Sequence, residues 1–162
     1  MTSTGTLELS PARFSDAAAQ RLVEEVQAEY VLRYGGPDDT PLEEGVFDSP
    51  RGAFFLGYVD GAPVAMGGWR WRDDVHPWAA ETVTEVKRMY VARAARRRGY
   101  ARAVLAHLED TAREAGSPAM VLETGIEQPE AIAMYQAAGY ELIESYGYYS
   151  WSPKSRCFGK RL

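Results

Sequence analysis

The sequence predicts an α/β fold: one mixed, mostly antiparallel sheet covered by helices on both faces. Three observations lead there. Two strand-like runs, Ala53–Val59 and Ala62–Arg72, flank Asp60-Gly61, a strong tight-hairpin signal, so they pair antiparallel. A strand, a helix and a strand then follow over 84–123, a succession that joins parallel neighbours through a right-handed crossover. The remaining short strands alternate with helices on either side of these units, which places helices on both faces.

Taken in order, Thr6–Ser10 reads as a short first strand, and Ser15 as the cap of a helix whose stripe is Ala19, Leu22, Val23, Val26 and Tyr30. Gly35-Gly36-Pro37 ends that helix, and residues 37–50 form a loop or a short helix around Leu42. In the return strand of the hairpin, Gly67-Gly68 marks a bulge or a close backbone approach. Trp69 and Trp71 share one face there, and Arg70 and Arg72 the other. Residues 73–80 make a turn before a strand over 82–91. The next helix starts near Arg98 and is the best patterned, with Ala101, Val104, Leu105, Leu108, Ala112 and Ala115 on one stripe and Gly116 and Pro118 at its end. Ala119–Glu123 is a strand. Pro129 opens a further helix that Gly139 closes, Glu141–Ile143 and Arg156–Arg161 are the last strands, and Tyr146–Lys154 is an aromatic loop between them.

With 162 residues, 46% of them apolar and 12% aromatic, the chain is expected to form one packed domain over 1–162. A net charge of −5 argues against a general nucleic-acid or anionic-membrane binder. Cys157 is the single cysteine, and no Cys/His cluster has metal-ligand spacing, so neither a disulfide nor a metal is expected. The opening segment lacks the basic and apolar regions of a secretory signal, and no run approaches a membrane span, so the expected location is cytoplasmic.

Against this acidic background stands a local basic turn, VARAARRRGYA, between a strand and a helix over 91–101. Backbone N–H groups, arginines and a helix N-terminus converge there, the arrangement that holds a phosphate or pyrophosphate. The alternative is a solvated basic helix start.

The spacing Arg96-x-x-Gly99-x-Ala101 behind the strand EVKRMYV, followed by Met134-Tyr135-Gln136-Ala137-Ala138-Gly139-Tyr140, resembles the two sequence motifs of the GNAT N-acetyltransferase superfamily. Residues 53–143 carry most of the likeness, which extends to small bacterial single-domain members. Gln128 departs from the asparagine common at the start of the second motif's helix. The resemblance implies a sheet whose parallel pair is splayed where acetyl-CoA binds, and direct acetyl transfer to an amine. It places the cofactor at Met89, Tyr90, Val91, Arg96, Arg97, Arg98, Gly99, Tyr100, Ala101, Arg102, Gln128 and Ala131. By the same resemblance, the free backbone N–H that holds the thioester carbonyl falls within Met89–Val91, at Val91 or Tyr90 in preference to Met89.

Within that resemblance Tyr135 is the proton donor to the departing thiolate, or else a core tyrosine. Glu85 is the candidate base, with an ion pair to Lys87 or Arg88 as its alternative, and Glu123 and Glu144 are weaker candidates. Arg88 falls on the other face from Glu85 and Lys87, and pairs with a carboxylate of the substrate or of the protein. Trp69 and Trp71 line an acceptor pocket or belong to the core. Tyr146, Tyr148, Tyr149 and Trp151 suit a cationic or aromatic acceptor, or pack over the sheet edge. Cys157 reads as a buried apolar residue. The function expected is an N-acetyltransferase of a small amine. The alternatives are a silent acyl-CoA-binding protein and an acetyltransferase of protein N-termini or lysines. A homodimer, common in the family, would suit the aromatic residues near the C-terminus.

Overall fold

The computed structural model describes residues 5–162. Its strands are β1 (Glu8–Pro11), β2 (Gly52–Val59), β3 (Ala62–Arg72), β4 (Val83–Val91), β5 (Ala119–Gly125), β6 (Glu141–Leu142) and β7 (Ser155–Arg161). Its helices are α1 (Ala17–Tyr34), α2 (Tyr100–Glu114) and α3 (Pro129–Ala137). All seven strands join one sheet in the order β1-β2-β3-β4-β5-β7-β6, in which only β4 and β5 are parallel.

One expectation is corrected here, and one open alternative is decided. Asp16, not Ser15, precedes the first helical turn, and its carboxylate accepts from the Arg13 N–H at 3.1 Å rather than capping the helix. Residues 37–50 form no helix: they run as loop and turns, pinned by side-chain bonds rather than by a helical ladder.

The α2 stripe buries Val104, Leu105, Leu108 and Ala112 against one face of the sheet, where Trp69, Met120, Leu122, Tyr135 and Phe158 join it. The opposite face packs Leu22 and Val26 of α1 against Phe54, Leu56, Met66 and Tyr90. Further along that face, the segment after β6 lays Tyr146 over Val83, Val121 and Cys157.

Two irregularities create the site. Gly68 pairs with Lys87 but Met66 with Tyr90, so Arg88 and Met89 together face Gly67 in a β-bulge, and Arg88 has φ +56°. The parallel pairing of β4 with β5 is confined to Thr84↔Met120 and Glu85↔Val121. Beyond it the strands diverge, with β4 continuing to Val91 and β5 to Gly125.

Candidate active site

The divergence opens a cleft in the middle of the sheet. A cavity of about 420 Å³ stands at the β5 side, walled by Tyr30 and Tyr34 of α1, Asp38 and Asp39 of the loop after it, Glu123 to Gly125, and Tyr148, Tyr149 and Trp151. Its walls are tied together. Arg33 donates to the Glu127 carbonyl at 2.7 Å and pairs with Glu130 at 2.9 Å, linking α1 to the start of α3. Tyr149 Oη accepts the Asp39 N–H at 2.8 Å, linking the two loops. Gln128 Nε2 donates to Tyr34 Oη at 3.3 Å, and a Cβ added at Gly125 would overlap that hydroxyl.

On the β4 side lies the basic turn. Arg97 has φ +65° and Gly99 has φ +80°, and α2 begins at the next residue, so backbone N–H groups are turned outward beside a helix N-terminus. Among the described residues nothing lies within 4 Å of a Cβ placed on Gly99, so none of them fills the space before it. Arg97, Arg98 and Arg102 are exposed there. This arrangement suits a diphosphate. Arg96, predicted to meet such a group, is instead committed to the protein. Its guanidinium meets Glu29 of α1 at 2.8 and 3.0 Å, its Nε donates to the Val91 carbonyl at 3.0 Å, and it lies over the Tyr90 ring. It braces the turn against α1. Tyr100 is buried, its hydroxyl donating to the Gly5 carbonyl at 2.6 Å, and Ala101 and Ala131 pack at the edge of the α2-side core.

The β4 backbone is equally informative. The Ala92 N–H donates to the Val64 carbonyl. Alternation along an antiparallel ladder then directs the Val91 N–H away from β3, into the cleft, and commits Tyr90 to Met66. Met89 turns its side chain to the α2 side and Tyr90 to the α1 side.

Tyr135, on α3, is 8% exposed in the α2-side core, its ring 5.9 Å edge-on from Tyr140, and it does not itself line the cavity. Burial, and secondarily the nearby Tyr30 phenol, push its pKa well above 10. It therefore stays protonated, as a donor must.

Glu85 is placed differently from expectation. It is 1% exposed and its partners are Arg70 (2.8 Å) and Arg72 (3.2 Å), not Lys87 or Arg88. Burial raises its pKa, but Lys87, Arg70 and Arg72 outweigh that and hold it below the ordinary 4.5. A carboxylate locked between two guanidiniums and sealed from the cavity is poorly placed to take a proton. Glu123, two residues beyond the last β4–β5 pair, lines the cavity and is half-buried. Burial raises its pKa, Lys87 opposes that and Glu85 adds to it, leaving it above the ordinary value. Glu144 is exposed and does not line the cavity.

Trp69 is removed from the acceptor wall. It is 4% exposed on the α2 side, and its indole N–H donates to Thr111 at 3.0 Å, while Trp71 meets it edge-on and packs against the same core. Tyr148 and Trp151, 50% and 74% exposed, do line the cavity. Arg88 pairs with Asp38 at 2.5 Å, because the bulge breaks the alternation that would have sent it to the far face. Sequence reasoning missed Tyr30, Tyr34, Asp38 and Asp39 as site residues. The one sign of them was a helix ending in Tyr30-x-x-x-Tyr34 just before Gly35-Gly36-Pro37.

A sheet opened between two parallel strands thus carries a basic turn on one side and a buried phenol on the other. The model of the acetyltransferase (GNAT) family matches residues 19–140, and the chain belongs to that family, whose members are acyltransferases. An IAA acetyltransferase of Azospirillum brasilense is 41% identical over 78 residues, which are 48% of this chain and 51% of that protein, so the match spans about half of either. Among solved structures, a Klebsiella pneumoniae protein assigned to the acyl-CoA N-acyltransferases superposes with TM-score 0.77 at 24% identity, covering 97% of this chain and 98% of that one. A GNAT family acetyltransferase of Elizabethkingia anophelis, solved with acetyl-CoA bound, gives 0.66 at 13% identity, covering 96% and 98%. At these identities the structures establish a shared fold. Among the described residues no helix is long and apolar enough to cross a membrane, and no group of His, Cys, Asp and Glu could hold a metal ion.

Proposed function

We propose that this protein is an acetyl-CoA-dependent N-acetyltransferase of a small amine. The observation that carries the reading is the cleft itself: β4 and β5 part between a basic turn suited to anions and a cavity lined by a half-buried carboxylate, Glu123, with the buried phenol of Tyr135 in the adjoining core. Bound acetyl-CoA would supply the activated acyl group as a thioester. The N–H groups of 97–101 and the side chains of Arg97, Arg98 and Arg102 would hold its diphosphate, and the Val91 N–H is aimed to hold the thioester carbonyl.

In this reading Glu123 takes a proton from the acceptor ammonium and releases the neutral nucleophile. As the nitrogen–carbon bond forms and the carbon–sulfur bond breaks, Tyr135 gives its proton to sulfur and recovers one from nitrogen, directly or through solvent. Glu123 passes its own proton to solvent, so one proton is released per turnover. Because the Glu123 pKa is raised, its basic form is lost as pH falls through that value, and the rate falls with it. Arg88, with Asp38, holds the loop that closes the cavity.

The test is thiol release from acetyl-CoA across a panel of amines, together with calorimetry of acetyl-CoA binding. Amine-dependent thiol release supports the reading. Binding without release for any amine would favour a silent acyl-CoA binder. Glu123→Gln should lower kcat/KM at pH 7 on the order of 10²-fold, within the range of positioned proton transfer, and flatten the acid limb of the pH–rate profile.

A further inference from the structure

Resting on the N-acetyltransferase reading, we infer that the acceptor carries a second positive charge, as a diamine does, and is not an amino acid or another amine bearing a carboxylate. The charge balance of the cavity is the ground. Four ionisable groups of formal charge line it: Asp38, Asp39, Glu123 and Lys154. Asp38 is neutralised by Arg88, and it also accepts from the Thr40 hydroxyl at 2.6 Å and the Thr40 N–H at 2.9 Å. Lys154 has Glu127 at 3.7 Å. Asp39 and Glu123 have no ion-pair partner within 4.0 Å among the described residues; Lys87, outside the lining, acts on Glu123 and Asp38 from a greater distance, and the unbalanced charge of the lining itself is negative.

The two acids stand at different depths. Glu123 is half-buried on β5, where the strands part, while Asp39 is exposed at the rim. An elongated acceptor would set its reacting nitrogen at the first and a distal cation at the second. The rim is also aromatic. Tyr149, whose hydroxyl holds the Asp39 N–H, stands 4.9 Å from Tyr148 and 6.3 Å from Trp151, ring centroid to ring centroid. Such faces favour an ammonium group. Tyr30 and Tyr34 supply apolar wall between the two ends for a methylene chain.

The experiment compares four-carbon acceptors that differ only at the far end: 1,4-diaminobutane, 4-amino-1-butanol and 4-aminobutyrate. The diamine should exceed the amino alcohol in kcat/KM by about tenfold, the scale of a partly exposed ion pair with an aromatic contribution. The aminobutyrate should fall below both. Asp39→Asn should narrow the ratio of diamine to amino alcohol toward one, and calorimetry should show acetyl-CoA binding retained. Turnover of all three at similar rates, or an unchanged ratio in Asp39→Asn, overturns the inference and leaves the transferase reading standing. A preference for 4-aminobutyrate overturns it in favour of Arg88, whose buried Nε has no hydrogen-bond partner among the described residues. Absence of thiol release with every amine overturns both.

Discussion

Replacing Glu85 by Gln should unfold the protein more readily and leave its chemistry nearly intact. Glu85 is sealed beneath Tyr146 and joined to Arg70 and Arg72, whose side chains are only 16% and 15% exposed. Removing one member of a buried ion pair typically costs 3–5 kcal/mol, because the other charge is left without compensation. The lower end, about 3 kcal/mol, applies here: glutamine keeps the volume and one acceptor oxygen. Arg72 also retains Asp74 at 2.7 Å. For a chain of this length that corresponds to a fall in Tm of about 6–12 °C. The pH dependence has a definite sign. The folded-state pKa of Glu85 lies below its ordinary 4.5, so its contribution is full above that value and is lost as pH falls through the depressed folded pKa. The variant should therefore differ most from the parent near neutral pH and least in acid. Urea unfolding at pH 7 and pH 4, with kcat measured well below the thermal transition, checks both halves. Parental stability combined with a hundredfold loss of rate and of the acid limb would refute the reasoning and return Glu85 to the role of base.

Three further outcomes follow from the site. Gly99→Glu should keep the fold at a cost of about 1–3 kcal/mol, since φ +80° strains any L side chain. It should also abolish acetyl-CoA binding in calorimetry, whereas unchanged affinity in the folded variant would move the diphosphate elsewhere. Tyr135→Phe should retain acetyl-CoA affinity and lower kcat roughly 10- to 1000-fold, in line with general acid catalysis, and full activity would leave Tyr135 as packing alone. Gly125→Ala should displace Tyr34 from β5 and raise the acceptor KM severalfold while Tm changes by a few degrees, because Tyr34 is a partly exposed side chain at the end of its helix. An unaltered KM would show that the Tyr34 position is immaterial to the acceptor.

Much of the sheet was legible because its determinants are local. Asp60-Gly61 fixed the hairpin, Gly67-Gly68 marked a close backbone approach, Gly68 lying against the Ala53 carbonyl while the bulge falls on the neighbouring strand β4, and the α2 stripe needed only its 3.6-residue period. Ser15 misled because a cap is decided by one or two backbone angles, and Asp16 stood equally close. Arg88 misled for a related reason: strict alternation assumes an unbroken strand, and its left-handed φ reverses the direction of the side chain. Tyr30 followed the apolar stripe of α1 faithfully, and nothing in the spacing distinguishes a tyrosine that ends in the core from one whose hydroxyl emerges beside a cleft. Arg96 illustrates a limit of motifs. Its place in the turn was readable, but Glu29, 67 residues earlier, had already claimed its guanidinium.

The two carboxylates show how a single break in pairing divides roles that the sequence cannot separate. Glu85 pairs with Val121 across the parallel ladder, and Glu123 lies two residues further along β5, so both project to the same face of the sheet. They differ in where the ladder stops. On the paired side the face is continuous, β3 brings Arg70 and Arg72 alongside, and Tyr146 covers the group. A charge there survives only with cations at contact distance, which makes it a poor base. On the parted side no strand lies beside Glu123 toward β4, the cavity takes that space, and the carboxylate is only half desolvated without an ion pair. Partial burial without a paired cation is what lifts a carboxyl pKa toward the operating range of a base. A family motif that reads along β4 finds Glu85; in the proposed mechanism the base is Glu123, at the opening that shows only once β4 and β5 are set side by side.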